Sequence, residues 1–329
     1  MNTLRHNWTF EEISSIFHKP LLELIYQAAT VHRESEGYGE VQISSLVSIK
    51  TGGCPEDCGY CPQAARYHTD LKAKSLMGVE EVMELARNAK NAGASRLCMG
   101  AAWREVRDNR DFDQVLEMVQ AVNTLDMEVC CTLGMLTESQ AQKLADAGVY
   151  AYNHNIDTSE EDYSRVIHTR NFQDRINTLQ NVRKTRMTIC SGGIIGMGEK
   201  ESDRISMLLT LANMEIHPES VPINALVRVK GTPMENEEPL KPFEMVRMIA
   251  TARIIMPKSV VRLSAGRNEM SETEQALCFM AGANSIFIGE KLLTTPNPDI
   301  EKDLQLLNDL GLKARVPFKN ERKEMLLGN

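Results

Sequence analysis

Eight short β-type runs, each set off from the next by other structure, limit this chain to very few folds. The runs fall at residues 41–50, 96–103, 128–134, 150–157, 187–195, 220–229, 260–265 and 285–289. Most of the segments between them carry apolar residues three and four apart, the mark of an amphipathic helix. In 79–92, for example, Val79, Val82, Met83 and Ala86 share one face and Gly93 supplies the stop. Segments 111–125, 138–147, 172–184, 202–214, 243–256 and 271–281 read the same way. Alternating strands and helices build a parallel sheet with crossover helices, and eight strands close a barrel; a doubly wound open sheet is the alternative. The expected fold class is α/β, a (β/α)8 TIM-type barrel with an N-terminal helical extension and a short C-terminal tail.

The 329 residues would suit two domains, but one barrel of about 200–250 residues with extensions fits as well. The expected division is a helical extension over 1–40, the barrel over 41–293, and a loop, helix and tail over 294–329. Leu21, Leu22, Leu24, Ile25 and Ala28 form the amphipathic segment of the first part. Pro296 and Pro298 force a loop after the barrel, 303–310 reads as a helix, and 317–329 as a charged, poorly ordered tail. No apolar run approaches the ~18–20 residues that span a bilayer, and residues 1–10 lack the basic-then-apolar pattern of a secretory signal. Lys and Arg number 37 against 45 Asp and Glu, a net charge of −8, which argues against a general polyanion-binding role. A cytoplasmic location is expected.

A chain this long needs no disulfide staples, so its eight cysteines call for another explanation. Three are clustered in Cys54-Pro55-Glu56-Asp57-Cys58-Gly59-Tyr60-Cys61, directly after the first strand, at the end of a barrel where catalytic loops gather. The C-x3-C-x2-C spacing lets three thiolates converge, with Gly52, Gly53 and Pro55 making the turns. A 4Fe-4S cluster normally takes four thiolates, so three would leave one iron open for catalysis. Structural zinc, with His68 as a fourth ligand, is the bland reading.

Cys98, Cys130 and Cys190 lie on predicted strands two, three and five. Their same-parity neighbours Gly100, Thr132 and Gly192 are small, leaving room inside a barrel. These cysteines are either barrel filling or part of a second metal centre. Cys131 has the opposite parity and should face the helices, and Cys278 reads as a packed apolar residue. Arg262, inside strand seven, needs an anion or another acceptor if buried; an ion pair with an unseen carboxylate would also serve. On strand four, Asn153, Asn155 and Asp157 alternate and share a face. Asparagines suit a urea-like ring and a carboxylate suits the hydroxyls of a ribose, while a solvated strand end is the plain alternative.

The C-x3-C-x-aromatic-C pattern, with Tyr60 as the aromatic residue, resembles the radical S-adenosylmethionine superfamily. So does Gly192-x-Ile194-x-Gly196-x-x-Glu199 at the end of the fifth strand, similar to the segment that lies under the adenine. Within that superfamily the chain resembles the biotin synthases from Trp8 to about Leu312. The likeness rests on Cys54 to Gln63, Cys98 to Trp103, Tyr152 to Thr158, Cys190 to Gly193, Ser220 to Asn224 and Val261 to Arg267.

The resemblance implies sulfur insertion converting dethiobiotin to biotin with S-adenosylmethionine. It implies a 4Fe-4S cluster on Cys54, Cys58 and Cys61, and a sulfur-donating 2Fe-2S cluster on Cys98, Cys130, Cys190 and Arg262. A neutral nitrogen ligand in place of a fourth thiolate leaves such a cluster one unit less negative. Asp157 is implied for the ribose, Asn153 and Asn155 between nucleoside and substrate, Asn224 for the ureido ring, Arg175 for the S-adenosylmethionine carboxylate, and Thr294 and Thr295 for the substrate carboxylate. A flavodoxin-like electron donor and a homodimer are also implied. His154 and the other histidines are expected to be structural.

Overall fold

The computed structural model describes residues 4–35, 37–241, 243–289 and 291–317, so most of the charged segment 317–329 lies outside the described residues. The barrel staves are β1 (Glu40–Lys50), β2 (Arg96–Ala101), β3 (Glu128–Thr132), β4 (Ala151–Asn153), β5 (Thr188–Cys190) with β6 (Gly193–Ile195), β7 (Ser220–Ala225), β8 (Val260–Leu263) and β9 (Ser285–Ile288). Every neighbouring pair is parallel, and β1 pairs with both β2 and β9, which closes the sheet. This is the (β/α)8 barrel the alternation predicts, and the open sheet is excluded.

Around the staves run α3 (Val79–Asn91), α4 (Arg110–Asn123), α5 (Glu138–Ala147), α6 (Glu160–Val166), α7 (Phe172–Arg183), α8 (Glu201–Ala212), α9 (Glu244–Ile255) and α10 (Glu272–Met280). Side-chain caps fix where several begin. Thr137, Asn171 and Ser271 each accept an N–H from the first turn and are met by a reciprocal side chain, satisfying donors the helix would leave bare. The apolar faces pack on the outward side of the sheet; in α3, Val82, Met83, Ala86 and Ala89 are buried. Ahead of the barrel, α1 (Phe10–Phe17) lies against α8 and α9, and α2 (Leu21–Arg33) along α9.

Three local expectations are corrected. Strand five is not continuous over 187–195: β5 meets β7 only at Cys190 and Ser220, and pairing resumes at Gly193 and Ile223. Strand four stops at Asn153, so Asn155 and Asp157 stand on an irregular extension. The connection to strand five holds two helices, α6 and α7, where one was expected.

After β9 come a small hairpin, β10 (Lys291–Leu292) with β11 (Thr295–Pro296), then α11 (Ile300–Asp309), longer toward its start than the predicted 303–310, and β12 (Lys313–Ala314), which pairs with the start of β1. A buried ion pair moors α11. Arg267 binds both carboxylate oxygens of Asp303 and also donates to Gln275 Oε1 at 3.0 Å and the Phe287 carbonyl at 3.0 Å. Burial pushes the Asp303 carboxyl up even against the lowering effect of Arg267, so the pair stabilises less than its removal would cost. Asp303→Ala, which strands the guanidinium, is expected to lose about 3–5 kcal/mol in urea denaturation. The double change Arg267→Met with Asp303→Leu should recover much of that loss.

Candidate functional site

At the C-terminal ends of the strands opens a cavity of about 320 Å³. The loop after β1 forms one wall. Gly52 and Gly53 both adopt φ of +69°, conformations that favour glycine, and turn the chain back over the barrel mouth. The Cys54 N–H then donates to the Gln63 carbonyl at 2.9 Å and the Ala65 N–H to the Cys54 carbonyl at 2.8 Å, while the Cys61 N–H donates to the Cys58 carbonyl at 2.9 Å. Cys54, Cys58 and Cys61 are all free thiols lining the cavity. Burial pushes Cys58 up to about 11 and Cys61 up to about 12, and raises Cys54 as well. These thiols therefore hold their protons near neutrality, and a metal group that takes them must displace protons. Among the described residues no three His, Cys, Asp or Glu side chains close tightly enough to hold a single ion.

Asp57, inside this loop, docks it onto the segment between α6 and α7. It accepts the His168 N–H at 2.9 Å, the Thr169 N–H at 3.0 Å and the Thr169 hydroxyl at 2.9 Å. Burial works to raise its carboxyl, but these donors and Arg66 together hold it below the usual range.

Deeper inside, parity sorts the cysteines as expected. Cys98 and Cys130 are register partners facing the interior, in an inner apolar cluster with Ala151, Phe287 and Leu292; Cys131 and Cys278 belong to the core outside the sheet. Cys190 sits at the end of its strand, not in the middle, and its thiol accepts from Asn153 Nδ2 at 3.3 Å. A hydrogen bond from Cys130 draws Cys98 down, with the guanidiniums of Arg262 and Arg96 helping, while Cys130 is held up.

Arg262 is fully buried, and among the described residues it has no carboxylate partner. Its Nε donates to Ser285 Oγ at 2.8 Å, and Nη2 to Gln42 Oε1 and Ser44 Oγ, both at 3.1 Å; its face lies 4.3 Å from the Phe287 ring centre. Among the described residues Nη1 has no hydrogen-bond partner, and Arg262 lines the cavity. Cys98, Cys130 and the spare guanidinium nitrogen of Arg262 face one cavity, Cys190 adjoins them through Asn153, and the donor set fits a small iron–sulfur group. Beneath it Arg96 and Glu128 form a buried pair at 2.6 Å, joined by Gln42 Nε2 at 3.3 Å from the carboxylate.

Between the two thiol sets lie the polar residues. Asp157 adopts φ of +67°, and its Oδ2 accepts from Tyr60 Oη at 3.0 Å and from Arg175, whose Nε donates to Tyr163 Oη at 3.0 Å. Asn153 accepts from Thr132 at 3.2 Å and donates to Asn155 Oδ1 at 3.1 Å. Asn224 is committed to backbone, donating to the Gly193 carbonyl at 2.9 Å and accepting the Ala265 N–H at 3.3 Å. Thr294 and Thr295 reach the same cavity from the hairpin, as does Ile194 from β6.

Gly192, Gly196 and Glu199 stand behind the wall. A side chain at Gly192 would collide with the Pro222 carbonyl, so this glycine permits close strand approach and does not open space inside, as its parity suggested. Glu199 accepts the Gly196 N–H at 2.8 Å and the Met197 N–H at 2.7 Å and pairs with Arg204 at 2.6 Å. Gly100 does not leave an empty space either: a Cβ there would come within 2.7 Å of Leu293, which folds over it from the hairpin. His154 is buried as expected of a structural residue, yet it borders the cavity. Sequence reading missed Glu56, within the cysteine loop, and Arg170, packed against it, whose side chains are both buried. The one available signal was an acidic residue inside the cysteine spacing.

Two family models match the chain: the Radical SAM superfamily over residues 48–211 and the Biotin and Thiamin Synthesis associated domain over 222–313. Among curated proteins, the biotin synthase of Cytophaga hutchinsonii is 63% identical over 97% of this chain and 95% of its own length. That of Nostoc punctiforme is 57% identical over 97% of each. Among solved structures, methylornithine synthase superposes with a TM-score of 0.81 at 19% identity, covering 95% of this chain and 96% of that one. The FeFe-hydrogenase maturase HydG from Carboxydothermus hydrogenoformans gives 0.80 at 16%, covering 94% and 76%. These last two likenesses bear on the fold alone.

Proposed function

The chain belongs to the biotin synthase family of radical S-adenosylmethionine sulfurtransferases, which turn dethiobiotin into biotin, and from that premise we propose which residues carry the reaction. Cys54, Cys58 and Cys61 hold the 4Fe-4S cluster, and Cys98, Cys130, Cys190 and Arg262 hold the 2Fe-2S cluster. When bound, the first supplies the electron that cleaves S-adenosylmethionine and the second supplies sulfur. The observation that carries this assignment is that one cavity is lined by the three mouth-loop cysteines together with Cys98, Cys130 and Arg262, while the Cys190 thiol is bonded to Asn153 on its wall.

The polar residues orient the two organic molecules between these sets. Asp157, fixed by Tyr60 and Arg175, presents a carboxylate to the ribose hydroxyls. Arg175 is at hand for the amino-acid carboxylate, and Ile194 offers an apolar surface to the adenine, with Gly192, Gly196 and Glu199 shaping the strand end behind it. Asn153 and Asn155 face both molecules, Asn224 borders the ureido ring, and Thr294 and Thr295 receive the substrate carboxylate. Leu292 and Leu293 on the hairpin keep water from a site where a carbon radical must survive.

Cleavage consumes an electron that no described side chain supplies, which supports an external low-potential donor such as flavodoxin. A homodimer is supported by the exposed Leu22 and Tyr26, one turn apart on α2. Among the described residues no helix is long and apolar enough to cross a membrane, in keeping with a cytoplasmic enzyme. Residues 1–40 and 294–329 are read as extensions of a single barrel over 41–293. The test is anaerobic incubation of the reconstituted protein with dithionite, S-adenosylmethionine and dethiobiotin. Both 5′-deoxyadenosine and biotin are expected; absence of both with the clusters intact would overturn the reading.

A further inference from the structure

Each thiol of the mouth loop accepts one N–H donor, and the donors are of two kinds. Cys54 receives the backbone N–H of Glu56 and Cys61 that of Gln63, both two residues further along the loop. Any sequence folding into this turn would supply those. Cys58 receives its donor from a side chain 112 residues away, Arg170 Nη2, at 3.5 Å from the sulfur.

Arg170 is held for this contact on its other nitrogens. Its Nε donates to Tyr163 Oη at 3.2 Å, and its Nη1 stands 3.5 Å from Glu56 Oε1. The side chains of Arg170 and Glu56 are 5% and 3% exposed, so the interaction is little screened by water. Among the described residues Glu56 Oε1 has no hydrogen-bond partner, and Arg104 lies 3.7 Å from it. The carboxylate therefore acts on Arg170 as a nearby charge and only partly neutralises it.

We propose that Arg170 is a positioning residue that sets the reduction potential of the mouth cluster by donating to the Cys58 sulfur, with Glu56 as its counter-charge. The inference rests on the assignment of Cys58 as a cluster ligand. Iron–sulfur potentials follow net charge, hydrogen bonds to sulfur and solvent exposure. In the step concerned the cluster takes up one electron from dithionite, or from the low-potential donor in the cell, and becomes more negative by one unit. A cation with an N–H on the thiolate favours that reduced state, and a buried carboxylate opposes it.

The two residues should therefore shift the potential in opposite directions, which a merely structural role would not do. Reconstituted holoenzyme is titrated with dithionite under argon, with the reduced cluster followed by electron paramagnetic resonance and iron content measured in parallel. Arg170→Met is expected to lower the midpoint so that at fixed solution potential the reduced-to-oxidised ratio falls about tenfold, equivalent to about 59 mV for one electron. Arg170→Lys, which keeps the charge, should recover most of that shift, and Glu56→Gln should raise the midpoint. Full iron content with an unmoved midpoint in Arg170→Met would overturn the proposal. If that variant fails to hold iron, Glu56→Gln decides: a midpoint that stays put or falls overturns it as well. Failure of the wild-type protein to assemble the mouth cluster would instead sink the assignment of Cys58.

Discussion

Cys98→Ala enzyme is expected to cleave S-adenosylmethionine and release almost no biotin. The mouth loop shares no ligand with the inner tier: Cys54, Cys58 and Cys61 are set by turns after β1, whereas Cys98 lies inside β2. Removing one inward thiol should leave the first set competent, so 5′-deoxyadenosine still forms on reduction. On the proposed assignment, what is lost is a ligand of the sulfur donor. Altering mere hydrogen-bond partners of metal ligands costs about 10–100-fold in affinity or activity. Loss of a ligand should exceed that, so biotin yield per enzyme should fall by at least about a hundredfold. Cys130→Ala and Cys190→Ala should behave alike.

The adjacent Cys131→Ala is the control. Cys131 packs in the apolar core between sheet and helices, so it should lose about 1–2 kcal/mol of stability and retain sulfur insertion. Product analysis by mass spectrometry separates the cases. If Cys98→Ala and Cys131→Ala made biotin equally well, the inward tier would not be the sulfur site.

That contrast was legible in the sequence because a strand has a period of two, so parity alone divides Cys130 from Cys131. The barrel was legible for a similar reason, since eight periodic strand–helix units admit few closures. Strand five shows where this kind of reading ends. Residues 187–195 form an unbroken β-type run in the sequence, but the pairing with β7 lapses between Cys190 and Gly193, where the Gly192 carbonyl accepts the Ile156 and Asp157 N–H groups, and nothing local to the run encodes those distant partners. Asn155 and Asp157 show the opposite case: they leave the strand and still line the cavity, so alternation put them on one face for an incomplete reason. Arg170 was beyond reach because its partners Cys58 and Glu56 are over a hundred residues away in sequence.

Asp157 should prove the most demanding position of the polar set, and its backbone makes the test unusually clean. With φ at +67° it occupies the left-handed region, which asparagine tolerates and alanine does not. Asp157→Asn therefore changes charge with little strain, whereas Asp157→Ala adds about 1–2 kcal/mol of backbone cost. Both changes leave the buried Arg175 without its carboxylate, and the alanine also removes the acceptor of Tyr60 Oη. Stranding a buried guanidinium costs about 3–5 kcal/mol, so both variants should unfold at lower urea, alanine before asparagine. A site built to hydrogen-bond a substrate hydroxyl loses about 10⁴-fold or more in discrimination when that match is broken. Loss of one carboxylate whose partners remain should cost the asparagine enzyme at least about a hundredfold in kcat/KM for S-adenosylmethionine, with iron content unchanged. A smaller folded fraction would lower the apparent kcat and leave KM alone, so a raised KM for S-adenosylmethionine separates the lost contact from the stability loss. If Asp157→Asn bound and cleaved S-adenosylmethionine normally, the carboxylate would be only the counter-ion of Arg175, and the ribose would have to be held elsewhere in the cavity.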